Sequence, residues 1–120
     1  MTESIVYNKS KVFAVRVIKL YKWLINEHNE FVMSKQCLRS GTSIGANLAE
    51  ALRGQSRPDF TSKLQIALKE ANETLYWLEL FKETDYITPE MFDSLNSDCV
   101  ELVKMLTSII VTNKQNDNKL

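Results

Sequence analysis

Glycine and proline are scarce, three and two among 120 residues, and a β-sandwich or barrel needs a turn every eight to twelve residues. No apolar run approaches the ~20 residues that span a bilayer; stretches such as Ile109-Ile110-Val111 fall far short, so no membrane partner is expected. An excess of one charge is missing too: 15 basic and 15 acidic side chains cancel, which removes the simplest argument for a polyanion ligand. Histidine occurs once, as His28, and cysteine twice, as Cys37 and Cys99, sixty-two positions apart and outside any C-x-x-C pair. The first residues, Met1-Thr2-Glu3-Ser4-Ile5, lack the basic start and apolar core of a signal peptide. Both thiols are therefore expected to be reduced and packed as small apolar residues, and the protein to be cytoplasmic.

What is present has a helical pattern. Hydrophobic residues at 44% and charged residues at 25% sit at the globular average, and the length suits one domain, residues 1–120, with a real core. Four segments carry helical periodicity, at about 10–26, 34–53, 57–84 and 89–112. In the first, Phe13, Val17, Leu20, Tyr21 and Leu24 share a face. The second places Leu38, Gly41, Gly45, Leu48 and Leu52 on one side; Gly54 then suits a C′ position, Ser56 an N-cap and Pro58 a first turn. The third shows Phe60, Leu64, Ala67, Leu68, Ala71, Leu75 and Leu78. Thr88-Pro89 starts the fourth, whose Phe92, Leu95, Cys99, Leu102, Leu106 and Ile109 alternate by three and four, as in bundle packing. Residues 113–120 read as a polar, frayed tail. Short loops force neighbours antiparallel, so the expected fold is an all-α, up-down-up-down four-helix bundle.

Familiar catalytic chemistry is hard to assemble from these residues. A di-metal carboxylate bundle wants Glu-x-x-His on two helices, but His28 falls in the break after the first helix. Glu70 and Glu73 are expected on a solvated face of the third. No metal or cofactor is expected. A Cys–His pair would need Cys37 or Cys99 to reach His28 from inside apolar helical patterns. Gly41-Thr42-Ser43-Ile44-Gly45 resembles a phosphate loop only faintly, since no lysine follows its second glycine and no strand precedes it.

Three other patterns are informative. Cys37, Gly41, Gly45 and Ala49 recur every four residues and form a groove of small side chains. Each glycine costs about 1 kcal/mol against alanine inside a helix, which points to close helix packing at Gly41, Gly45 and Ala49, against the same chain or another. Charge is unevenly spread: residues 1–60 carry nine basic and five acidic groups, residues 61–120 six and ten. On the first helix Lys9, Arg16, Lys19 and Lys22 lie opposite the apolar stripe, with Trp23 among them, a set that could track phosphate and stack on a base. A solvated basic face and a subunit interface burying Trp23 are the competing readings. Surplus apolar residues, Ile66, Trp77 and Leu80 on the third helix and Val103 and Ile110 on the fourth, favour association of copies. Unlike patches in head-to-tail contact close into a ring when the rotation permits.

The run Leu38-Arg39-Ser40-Gly41-Thr42-Ser43-Ile44-Gly45-Ala46-Asn47-Leu48-Ala49-Glu50-Ala51 resembles the bacterial "four helix bundle protein" family, as do Asp59-Phe60, Leu64 to Ala71 and Glu73 to Leu78. That family is also described as S23-like, or as proteins encoded within intervening sequences of 23S ribosomal RNA genes. The resemblance implies a left-handed antiparallel bundle, commonly a homopentameric ring, and kinship with accessory proteins of diversity-generating retroelements, which bind nucleic acid and a reverse transcriptase. It establishes no biochemical activity. Two departures stand out: Ala51 replaces the glycine of the usual N-x-A-E-G, and the strong basicity of the retroelement proteins is absent. Carried over by position, Arg39, Ser40, Ser43, Asn47 and Glu50 are the polar members of the motif, read either as a hydrogen-bonded network fixing the second helix or as the lining of a partner site. The expectation is a non-enzymatic homo-oligomeric binding or assembly module, with RNA or DNA as ligand on the first helix. The alternative is a protein–protein scaffold with no nucleic-acid role.

Overall fold

The computed structural model describes residues 2–54 and 56–118. They form four helices, α1 (Thr2–His28), α2 (Met33–Leu52), α3 (Arg57–Glu83) and α4 (Pro89–Asn118), in an all-α four-helix bundle. α1 packs on α2, α2 on α3, α3 on α4 and α4 back on α1, while α1 and α3 lie across one diagonal and α2 and α4 across the other. The rod measures 53 × 23 × 21 Å. Two helices are longer than their periodicity predicts. α1 starts eight residues early because Val6 and Ser10 continue its buried stripe. α4 runs through the polar stretch expected to fray as far as Asn118; residues 119–120 of that stretch lie outside the described residues.

The helix ends explain the loops. The Ser56 hydroxyl accepts from the Asp59 N–H, and the Thr88 hydroxyl from the Met91 N–H, as N-caps do. α2 is capped from further back: the buried Glu30 carboxylate accepts from the N–H groups of Val32, Met33 and Ser34. α1 and α3 are followed by left-handed residues, Asn29 (φ 51°) and Asp85 (φ 65°), the αL position where asparagine and aspartate substitute for glycine. Gly54, expected to serve that role, does not have positive φ. A Cβ there would meet an Asp59 carboxylate oxygen, the free end of an exposed side chain that can move aside.

Cores differ from the expected stripes in register. On α3 the buried line is Leu64, Ala67, Ala71, Thr74, Leu78 and Phe81, a three-four alternation that pushes Leu68 and Leu75 to its flank. On α2, Ser40 and Ile44 are buried, while Leu38 is half-buried and Leu52 exposed. The two α2 glycines meet α1. A Cβ on Gly41 would come within 2.8 Å of the Val17 side chain, and one on Gly45 within 3.0 Å of the Ser10 hydroxyl. The helix that approaches the small-residue groove therefore belongs to the same chain. Ala49, the third small residue, is only half-buried.

Candidate functional site

The motif residues of α2 divide by direction. Arg39 reaches across to α3, where its guanidinium donates to Glu70 at 2.9 Å and also pairs with Glu73. Glu73 accepts a second bond from the Trp77 indole N–H at 3.1 Å. Glu70 is only 8% exposed and Glu73 is half-buried, so neither carboxylate lies on the fully solvated face expected of it. A residue one turn from the seam is drawn inward because a cation on the neighbouring helix supplies its partner. That partnership raises the Arg39 pKa, chiefly through Glu73. Burial works against ionisation of Glu73, but its bonds from Trp77 and Arg39 hold it below the usual carboxylate range.

Ser40 lies one residue further round. Its hydroxyl accepts from Thr74 at 2.8 Å, with both residues fully buried. Glu50 pairs with Lys63 of α3 at 2.7 Å. Ser43 and Asn47 turn back on their own helix instead: Ser43 Oγ donates to the Arg39 carbonyl and Asn47 Nδ2 to the Ser43 carbonyl. Three of the five motif side chains thus join α2 to α3. Thr74 escaped the sequence reading because a threonine in an apolar line looks like a gap; the three-four spacing from Leu64 to Phe81 was the signal that places it inside.

The basic side of α1 also divides. Lys9 pairs with Glu101 at 2.9 Å, and Arg16 binds Asp98 at 2.6 Å and the Ser94 hydroxyl at 2.8 Å, both across to α4. The basic run of α1 and the acidic run around α4, far apart in sequence, meet along this edge. Lys19 and Lys22 remain exposed, with no ion pair among the described residues. Trp23 is half-buried and packs edge-on against His28, centroids 4.5 Å apart, and His28 packs in turn on Tyr86. A cleft of about 430 Å³ opens between α1 and α4 beside Arg16, Lys19, Trp23 and Met91.

The thiols are buried, and burial pushes each up to about 12. Cys99 donates to the Ala71 carbonyl at 3.3 Å. Neither offers a thiolate near neutral pH. Among the described residues no three His, Cys, Asp or Glu side chains gather as a metal site, and no helix is long and apolar enough to cross a membrane.

Comparison with known proteins agrees with this architecture. A family model described as 23S rRNA-intervening sequence protein matches residues 2–108. The chain is 62% identical to a protein of unknown function from the S23 ribosomal protein family of Bacteroides thetaiotaomicron VPI-5482, solved by crystallography at 1.70 Å. The alignment covers 92% of this chain and 98% of that one, with a TM-score of 0.90. No curated protein matches.

Proposed function

The chain belongs to the 23S rRNA-intervening sequence protein family, and from that membership and the geometry above we propose that it is a non-catalytic assembly module whose copies join head to tail into a closed ring. One observation carries this reading. α1 exposes Ile5, Val12 (64%) and Val15, and α3 exposes Ile66 and Tyr76 (54%). Because α1 and α3 occupy opposite corners of the bundle, these apolar residues point away from each other. Two unlike sticky faces on opposite sides favour heterologous contact, and a ring is its closed form. Five copies is the size that the family resemblance implies. The inert buried thiols suit a reducing compartment such as the cytoplasm.

The test uses two variants. Val12→Asp spoils only the α1 face and Ile66→Asp only the α3 face. Each alone should be monomeric by light scattering, whereas an equimolar mixture should form a one-to-one dimer, since one good junction survives. A monomeric wild type, or variants that assemble as the wild type does, overturns the ring.

RNA binding is the second reading, supported by the exposed Lys19 and Lys22 beside Trp23. Lys9 and Arg16 contribute little to it, because their charges are met by Glu101 and Asp98. Fluorescence anisotropy with single-stranded RNA should show affinity falling steeply with salt, with a shallower slope in Lys22→Gln. Absence of binding at low salt removes this reading and leaves assembly untouched.

A further inference from the structure

At the end of the bundle where α1 stops and α4 starts, Trp23 and Met91 line two adjoining clefts, of about 430 and 380 Å³. Both volumes are in the range of small-ligand sites. The first has Leu20 and Leu95 in its floor and Lys19 at its rim; the second is closed by His28 and Tyr86. The indole between them is held in place. His28 meets it edge-on at 65°, and Tyr86 meets His28 at 84°, so the aromatic wall is preorganised.

The two tryptophans differ in a telling way. Trp77 is occupied: its N–H donates to Glu73 and its ring packs on Tyr76. The Trp23 N–H has no hydrogen-bond partner among the described residues. A flat heteroaromatic ring in this cleft would find an aromatic wall, the polarisable sulfur of Met91 and an open donor. The rim carries the other half of the recognition. Lys19 stands four residues before Trp23, a spacing that puts helix neighbours about 5–6 Å apart, comparable to the reach from a nucleobase to its own phosphate. Lys19 makes no ion pair among the described residues, unlike Arg16 one turn earlier.

We infer that the α1–α4 end cleft binds a nucleobase carrying a phosphate, the base against Trp23 and Met91 and the phosphate at Lys19. The ligand is either a free mononucleotide or one nucleotide of a single-stranded RNA. The inference shares Lys19 with the RNA reading and is independent of the ring.

The experiment follows Trp23 directly. Trp77→Phe leaves it the sole indole, and its emission is titrated with AMP, adenosine, ribose 5-phosphate and a six-nucleotide oligoadenylate. AMP should quench it saturably between about 10 µM and 1 mM, as expected of a ligand this size. Adenosine should bind roughly tenfold more weakly, and ribose 5-phosphate should leave the emission unchanged. Lys19→Gln should weaken AMP roughly tenfold and leave adenosine as it was. In the wild-type chain the Trp23 indole N–H resonance should move on adding AMP while that of Trp77 stays, which keeps the test valid should Trp77→Phe fold poorly. A response to both AMP and the oligonucleotide supports a free-nucleotide site, and a response to the oligonucleotide alone supports the RNA form. RNA bound by anisotropy without change at Trp23 overturns the cleft and spares the RNA reading; no binding of any kind overturns both. Emission that follows protein concentration and ignores nucleotide means that a neighbouring copy fills the cleft, and this too overturns the inference.

Discussion

The α2–α3 and α1–α4 edges lie on opposite sides of the bundle, and both carry ion pairs, but a buried hydroxyl contact joins the first. Across α2–α3 two short hydroxyls, Ser40 and Thr74, meet at 2.8 Å beside the fully buried Ala67 and Ala71, with the longer Arg39–Glu70 and Lys63–Glu50 pairs further out. Short groups can meet only if the helices are close. Across α1–α4 the bridges are Lys9–Glu101 and Arg16–Asp98, long side chains that reach over a gap, and clefts open between the two pairs and beyond Arg16. A contact between two short side chains thus reports that two helices lie close, whereas a long ion pair can span either edge. The motif that makes this sequence recognisable sits on the close edge, where its polarity serves packing. Lys19, without an ion pair among the described residues, and the cleft beside Trp23 sit on the open one.

Truncating one leucine on each edge tests the contrast most strongly. Leu64 of α3 is fully buried, and Leu64→Ala should cost about 4 kcal/mol in urea unfolding, because its close-packed surroundings cannot collapse into the hole. Leu95 is nearly as buried but borders the α1–α4 cleft. Leu95→Ala should cost about 2 kcal/mol, since water already reaches the space it leaves. Equal costs would mean that the two edges are packed alike.

A smaller effect separates the two arginines. Arg39→Ala leaves Glu70, a buried carboxylate, without its cation. With the guanidinium itself half exposed, the expected loss is about 1–2 kcal/mol. Arg16→Ala breaks a pair in which neither member is buried, the Asp98 carboxylate being about half exposed, and about 0.5 kcal/mol should go, most of it absent in high salt. A double-mutant cycle of Arg39 with Glu70 against one of Arg16 with Asp98 measures the difference.

Helix number and order were readable because four apolar periodicities are separated by the polar break around His28, by Ser56 and Pro58, and by Thr88-Pro89, whose chemistry is local. Registers were harder. Thr74 and Ser40 satisfy each other inside the core, and no rule applied to one helix alone anticipates a partner on the next. Glu70 was misplaced for the same reason, since its partner, Arg39, is 31 positions away. On α1 the basic residues and Trp23 could be grouped by angle alone. That two of the four cations are matched by α4 carboxylates depends on how α1 and α4 pair, which periodicity does not encode. The left-handed Asn29 and the capping Glu30 went unseen because a polar cluster between helices reads as solvent-facing loop.

Acid distinguishes the two edges most subtly. Glu30 anchors the start of α2; burial opposes its ionisation, yet the N–H groups of Met33, Ser34 and Val32 together hold its pKa below the usual range. Glu73, on the same side of the molecule, is lowered as well. A carboxylate whose folded pKa is depressed stabilises the fold above its unfolded pKa and loses that contribution as pH falls through the folded value. Stability should therefore decline from about pH 5 downward. Glu30→Gln keeps the shape but sets an amide N–H₂ among backbone donors. It should cost about 1 kcal/mol at pH 7 and make the acid decline shallower, the remaining slope belonging to Glu73 and other carboxylates. The α1–α4 pairs should show themselves mainly through added salt at pH 7, which screens Lys9–Glu101 and Arg16–Asp98 while leaving the Glu30 cap almost unchanged. A Glu30→Gln variant as acid-sensitive as the wild type would mean that the hydrogen bonds to Glu30 do not distinguish its charged form, and α2 would then owe its start to packing alone.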